Sequence, residues 1–226
     1  MYSTDAPGIG GPTETQMSNF SRKLAMGAIV VAALAAGLVL GGMVRDDAAE
    51  NVEAGDAPEL QRYEIGGEFE LTNQRGERMR LSDLAGRALV MFFGYTYCPD
   101  VCPATLARVR EVKAALPRED AARFIGVLVS VDPARDTPRR LGQYVEFFDP
   151  EFVGLTGSEE ELQDMARRYG AQFMIPEGQS EDGYLVNHSS IAYLIDPAGH
   201  VRAFYYGDEP IDAIAANVRE VLEELG

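Results

Sequence analysis

The 226-residue chain has no tryptophan, only two histidines and only two cysteines, and its 20 basic residues are outnumbered by 36 acidic ones. Each scarcity excludes something. Two cysteines cannot build a disulfide framework or a four-sulfur zinc site, so any thiol chemistry belongs to the single pair Cys98 and Cys102. A formal net charge of −16 opposes a nucleic-acid partner, because phosphate recognition needs clustered Lys and Arg. The acidic excess reads as solvated helix faces that confer solubility. What remains, 46% hydrophobic and 25% charged residues, is the composition of a chain that buries a core.

Charge is absent from one long stretch. Leu24 to Met43 holds twenty residues without a charged side chain, and at about 1.5 Å per helical residue such a run covers the ~30 Å hydrocarbon core of a bilayer. One transmembrane helix is predicted. A cleaved signal peptide is the competing reading, but its apolar region usually runs about 7–15 residues, and here a polar leader precedes a longer run. Arg22 and Lys23 precede the span and Arg45 follows it, a bias that leaves the N-terminus in the cytoplasm. The expected organisation is a cytoplasmic leader (1–23), an anchor (24–43), a solvated tether (44–58) and one domain (59–226). The protein would then be single-pass in the cytoplasmic membrane, with both cysteines in the periplasm, where a disulfide persists.

Within the domain the apolar pattern switches repeatedly between period two and helical spacing. Phe69–Leu71 and Met79–Leu81 alternate about Asn73-Gln74-Arg75-Gly76, which predicts an opening hairpin. Ala88 to Phe93 is a continuous apolar run, the mark of a strand covered on both faces. A helix follows, with Leu106, Val109, Lys113 and Leu116 in register. Phe124 to Val131 predicts a second buried strand, and Thr137-Pro138 opens a helix with Leu141, Val145 and Phe148 inward. Ser158-Glu159-Glu160-Glu161 is a capping box before Leu162, Met165, Ala166 and Tyr169. After an acidic segment from about Glu177 to Asn187, Ile191–Ile195 and Val201–Tyr206 form a hairpin about Asp196-Pro197-Ala198-Gly199, and Pro210 starts a terminal helix. The alternation implies a layered α/β domain with a mixed sheet flanked by helices.

The two cysteines lie at a strand-to-helix junction, four residues apart, a spacing at which the sulfurs converge to chelate a metal or to bond. Pro103 suits a first helical position, so Cys102 is expected at the N-cap, where free N–H groups and the helix dipole stabilise a thiolate. Two thiolates fill half of a tetrahedral zinc site, whereas two thiolates and one imidazole make a three-coordinate set suited to copper. Of the two histidines, His200 is expected on an exposed hairpin strand as a solvated residue. His188 stands where the acidic segment enters a strand, and its position alone equally fits a histidine bonded within its own loop. Asp132 and Asp136 read as turn residues, one before a proline and one before a helix N-cap.

Tyr97-Cys98-Pro99-Asp100-Val101-Cys102-Pro103, Ser130-Val131-Asp132-Pro133-Ala134-Arg135-Asp136-Thr137, Val153-Gly154-Leu155-Thr156-Gly157 and Asn187-His188-Ser189-Ser190 together resemble the Sco/SenC family of membrane-anchored copper proteins. The resemblance runs from about Phe69 to the C-terminus. It implies a thioredoxin-like fold and one copper, Cu(I) or Cu(II), held by Cys98, Cys102 and His188. It also implies a role in assembling the copper site of cytochrome c oxidase, with the oxidase copper subunit and a copper donor protein as partners. The family often has Asp before the ligand histidine, where this chain has Asn187. Two functions follow: a copper metallochaperone, or a thiol–disulfide oxidoreductase in which Cys98 and Cys102 form a redox-active disulfide. Against the second, oxidoreductases use Cys-x-x-Cys, and Ser190 stands where such enzymes have proline before the hairpin strand.

Overall fold

A computed structural model describes residues 58–175 and 183–224. The predicted leader and anchor, the tether up to residue 57, and residues 177–182 of the acidic segment lie outside them. Among the described residues no helix is long and apolar enough to cross a membrane.

Strands β1 (Glu70–Asn73) and β2 (Arg78–Arg80) form the expected opening hairpin. Strand β3 (Ala88–Gly94) leads to helix α1 (Val101–Ala115), β4 (Phe124–Ser130) to α2 (Pro138–Phe148), and β5 (Val153–Thr156) to α3 (Glu159–Arg168). A two-stranded ribbon, β6 (Phe173–Met174) with β7 (Asn187–His188), precedes the hairpin β8 (Ala192–Ile195) and β9 (Val201–Tyr205) and the last helix, α4 (Ile211–Glu223). Seven strands make one mixed sheet in the order β2-β1-β5-β4-β3-β8-β9; β3, β4 and β5 are parallel and the other pairs antiparallel.

Every residue of β3 and β4 is buried, because helices or aromatic side chains cover both faces of these strands. On one face α1 lies so close that a Cβ on Gly94 would stand 2.7 Å from Cys102 Sγ, and one on Gly126 would stand 2.8 Å from Val109 Cγ1. Glycine at Gly94 therefore lets Cys102 reach the sheet. On the other face Phe93 meets the rings of Tyr169 and Tyr193 edge-on, at 6.2 and 6.0 Å. Full burial of each large apolar side chain contributes about 1.5–3 kcal/mol, so α1, with Leu106, Val109 and Val112 all inside, is pinned along its length. Lys113, the polar member of that stripe, reaches Asp149 at 2.9 Å and Glu151 at 2.6 Å.

Helices α2 and α3 start as the sequence predicts: Thr137 Oγ1 accepts from Arg140 N–H with Pro138 in the first turn, and Ser158 and Glu161 form a reciprocal capping box. Helix α1 differs. It begins at Val101 with Asp100 at the N-cap, so Cys102 is inside the first turn and Pro103 is its third residue. Proline is tolerated there because first-turn N–H groups have no intrahelical acceptor.

Candidate metal centre

Topology brings the site together. Strand β8 runs antiparallel to β3 with Ala192 opposite Phe92, so the chain entering β8 lies beside the chain leaving β3. His188 is four residues before Ala192, and Cys98 is six after Phe92. The ribbon pairs His188 with Phe173, which fixes the level at which the imidazole enters. Cys98 Sγ, Cys102 Sγ and a ring nitrogen of His188 all lie within 4.8 Å of one another, the one such cluster of His, Cys and acidic side chains among the described residues.

Each donor is held by its neighbours. Cys98 N–H donates to the Tyr95 carbonyl at 3.2 Å. Asp100 makes no side-chain cap, and the free Cys102 N–H points at Cys98 Sγ at 3.4 Å. The helix N-terminus thus faces Cys98 rather than Cys102. His188 Nδ1 lies 3.0 Å from the Ser189 carbonyl, which only accepts, so Nδ1 carries the proton and Nε2 turns its lone pair toward Cys102 Sγ at 3.6 Å. The residue that departs from the family pattern, Asn187, is exposed and takes no part in this contact. The Tyr95 ring meets the imidazole edge-on at 5.6 Å.

The expectation of a stabilised Cys102 thiolate is overturned. Cys102 is fully buried, and burial pushes its thiol well above the ordinary value. Desolvation outweighs the helix N-terminus, and the metal-free pair is a thiol at Cys102 that must lose a proton before it ligates. A folded-state value above the unfolded one contributes stability below about pH 8.5, the ordinary thiol range, and loses it as pH rises. Burial raises the hydroxyls of Tyr169 and Tyr205 in the same sense, which extends the loss above about pH 10. The reduced, metal-free protein is therefore expected to show a falling thermal midpoint from about pH 8.5 upward, and Cys102→Ala is expected to flatten the first part of that fall. An unchanged slope in the variant would contradict the assignment.

The turn reading of the two aspartates holds, with the Arg135 and Asp136 N–H groups both donating to the Asp132 carbonyl, and their side chains do more than make the turn. Asp136 is buried and accepts from Thr96 N–H at 3.0 Å, Thr96 Oγ1 at 2.6 Å and Ser130 Oγ at 2.7 Å. It ties the loop before Cys98 to the end of β4. Asp132 is also buried and bonds Arg135 and Tyr184. His200 is away from the centre, as expected, but is half-buried rather than solvated: its Nδ1 is 3.4 Å from Asp196 and its Nε2 contacts Arg62. Sequence reasoning did not find Tyr95, Thr96, Arg135 or Tyr184, because apart from the Arg135–Asp132 pair, three residues apart, their partners lie 40 to 91 positions away.

The same architecture recurs in known proteins. Protein SCO1 homolog 1, mitochondrial, of Arabidopsis thaliana is 33% identical over 175 residues, which are 77% of this chain and 52% of that protein, so the chain spans about half the length of this relative. Arabidopsis thaliana ScoI, solved with copper bound, superposes with a TM-score of 0.64 at 34% identity, covering 71% of this chain and 99% of that one. BsSco, described with a disulfide switch as a member of the Sco family of cytochrome c oxidase assembly proteins, superposes with a TM-score of 0.57 at 28% identity over 74% and 98%. The mixed sheet flanked by helices is thioredoxin-like, as in these structures. The SCO1/SenC family model matches residues 57–223, and the chain belongs to that family.

Proposed function

We propose that this protein is a metallochaperone that binds one copper ion through Cys98 Sγ, Cys102 Sγ and His188 Nε2 and passes it to the copper-binding subunit of cytochrome c oxidase. The observation that carries the reading is the convergence of three donors of this type within 4.8 Å. Two sulfurs and one nitrogen leave a zinc site one ligand short, whereas thiolates favour Cu(I) and the imidazole also admits Cu(II). The copper-bound ScoI relative and the BsSco description support the metal and the partner. In this reading residues 24–43 anchor the chain in the cytoplasmic membrane, residues 44–58 are a tether, residues 59–226 face the periplasm, and a separate donor protein supplies the copper.

A second reading rests on the sulfurs themselves. Both cysteines are free and close, so a partner disulfide could accept two electrons and two protons from them as the Cys98–Cys102 bond forms. That bond would remove both thiolates and expel the metal, so redox state would gate copper loading. Titration of the reduced full chain with Cu(I) under a competing chelator separates the donors. One copper per chain is expected for the wild type, with an affinity lower by at least about 10-fold in His188→Ala. Equal tight binding by both proteins would remove the histidine from the site. Rapid, copper-independent reduction of a partner disulfide would favour the second reading.

A further inference from the structure

Beside the three donors lies a buried cation that none of the chemistry above uses. The Arg135 side chain is 6% exposed. Its Nε donates to Asp132 Oδ2 at 2.5 Å, and its Nη1 donates to the carbonyl of Tyr184 at 3.0 Å. The Tyr184 hydroxyl returns to Asp132, donating to Oδ1 at 2.7 Å. The guanidinium carbon lies 3.6 Å from the centre of the Tyr184 ring, 4.6 Å from that of Tyr97 and 5.7 Å from that of Tyr95. One nitrogen, Nη2, has no hydrogen-bond partner among the described residues.

A buried ion pair with an unsatisfied N–H group is poor value as a stabiliser, because desolvation offsets most of the attraction; its better-attested use is to fix one geometry. The geometry fixed here is that of the segment leading to His188. Tyr184 stands four residues before the histidine, and two residues on, Val186 N–H donates to the Tyr95 hydroxyl at 3.2 Å. Tyr95 also carries the edge contact to the imidazole. The segment is therefore fastened at Tyr184 to the loop after β4 and at Val186 to the loop after β3, the loop that carries Cys98. The Tyr184 fastening makes no hydrogen bond to either cysteine, whereas the Val186 fastening falls on Tyr95, whose carbonyl accepts the Cys98 N–H.

We propose that Arg135, seated by Asp132 and stacked on Tyr184, is a positioning residue that holds the His188-bearing segment against the cysteine pair, so that the third donor is in place before copper arrives. The inference rests on His188 being a ligand. Arg135 and Asp132 come from the loop after β4 and Tyr184 from the segment before β7; Arg135 also stacks on Tyr97 beside Cys98, whereas the Tyr184 hydroxyl bonds Asp132 and no residue of the cysteine loop, so its loss acts on copper through the histidine.

The test is a cycle of variants of the reduced full chain: wild type, Tyr184→Phe, Arg135→Gln, His188→Ala, and Tyr184→Phe and Arg135→Gln each combined with His188→Ala. The readout is Cu(I) affinity against a chelator, with circular dichroism to establish folding. Tyr184→Phe, which removes only the hydroxyl bonded to Asp132, is expected to weaken binding by about 10-fold, within the range of a lost partner that orients a ligand. Added to His188→Ala, it is expected to change nothing further. The Cu(II)-loaded Arg135→Gln protein is expected to lose the nitrogen hyperfine structure of its electron paramagnetic resonance spectrum. Wild-type affinity in both Tyr184→Phe and Arg135→Gln, with His188→Ala weakened, would overturn the positioning role and leave the donor set standing. An equal loss in the presence and absence of His188 would show that the clamp supports the whole domain, and would also overturn it. No effect of His188→Ala would defeat the donor set itself. Arg135→Gln counts only if its far-ultraviolet spectrum is native; Tyr184→Phe, the milder change, decides the outcome otherwise.

Discussion

Cys98→Ser is expected to abolish tight copper binding while leaving the fold intact. The half-exposed Cys98 contributes one donor to the centre and one acceptor to the Cys102 N–H. Serine keeps the second role, since a hydroxyl is a good acceptor at the start of a helix, and loses the first, because a neutral hydroxyl is a hard, weak ligand for a soft ion. The affinity loss should exceed the roughly 10–100-fold typical of a lost orienting partner, while the unfolding free energy should move by no more than about 0.5 kcal/mol, as for a change outside the core. Chelator competition and denaturant unfolding of the same preparation check both halves. Cys102→Ser would not separate them so cleanly, because Cys102 is fully buried against Gly94 and a hydroxyl there has to be desolvated.

Asp136→Ala is expected to produce the largest loss of stability of any polar substitution near the site. One carboxylate accepts three hydrogen bonds from Thr96 and Ser130 in a buried place. Alanine leaves all three donors without that partner, at about 1–3 kcal/mol for a buried unsatisfied group, so a total near 4 kcal/mol is expected once relaxation is allowed for. Thr96 lies in the loop that carries Cys98, so copper affinity should fall with stability. Burial pushes the Asp136 carboxyl up. A folded-state value above the unfolded one contributes stability that is full below the unfolded carboxylate range, about pH 3.9, and is lost as pH rises through the folded value. Asp136→Asn keeps the shape without the charge and is expected to cost less than alanine and, by removing a contribution that grows on acidification, to steepen the acid limb of the stability curve. Urea unfolding at several pH values measures each of these; an Asp136→Ala protein as stable as the wild type would contradict the role assigned to the carboxylate.

Much of this was legible along the chain because the determinants are local. The continuous apolar runs of β3 and β4, the Thr137-Pro138 start of α2 and the Ser158 capping box each encode their element within a few residues. Cys98 and Cys102 announce themselves by scarcity, and His188 by the motif around it. What was illegible depends on long-range contact. The ribbon β6–β7 is two residues per strand, too short for any periodicity. The high thiol value of Cys102 follows from close packing under Gly94, which no spacing rule encodes. Asp132 and Asp136 stand where turn residues stand, and only the folded chain shows that Tyr184 and Thr96 are their partners.

The central claim is that two sulfurs and one imidazole close on a single ion. X-ray absorption at the copper edge of the reduced, Cu(I)-loaded full chain, compared with His188→Ala, tests it most directly. Two sulfur scatterers and one imidazole nitrogen are expected in the first sphere of the wild type, with the nitrogen gone and both sulfurs retained in the variant. A wild-type spectrum with sulfur alone, unchanged by removal of His188, would contradict the account.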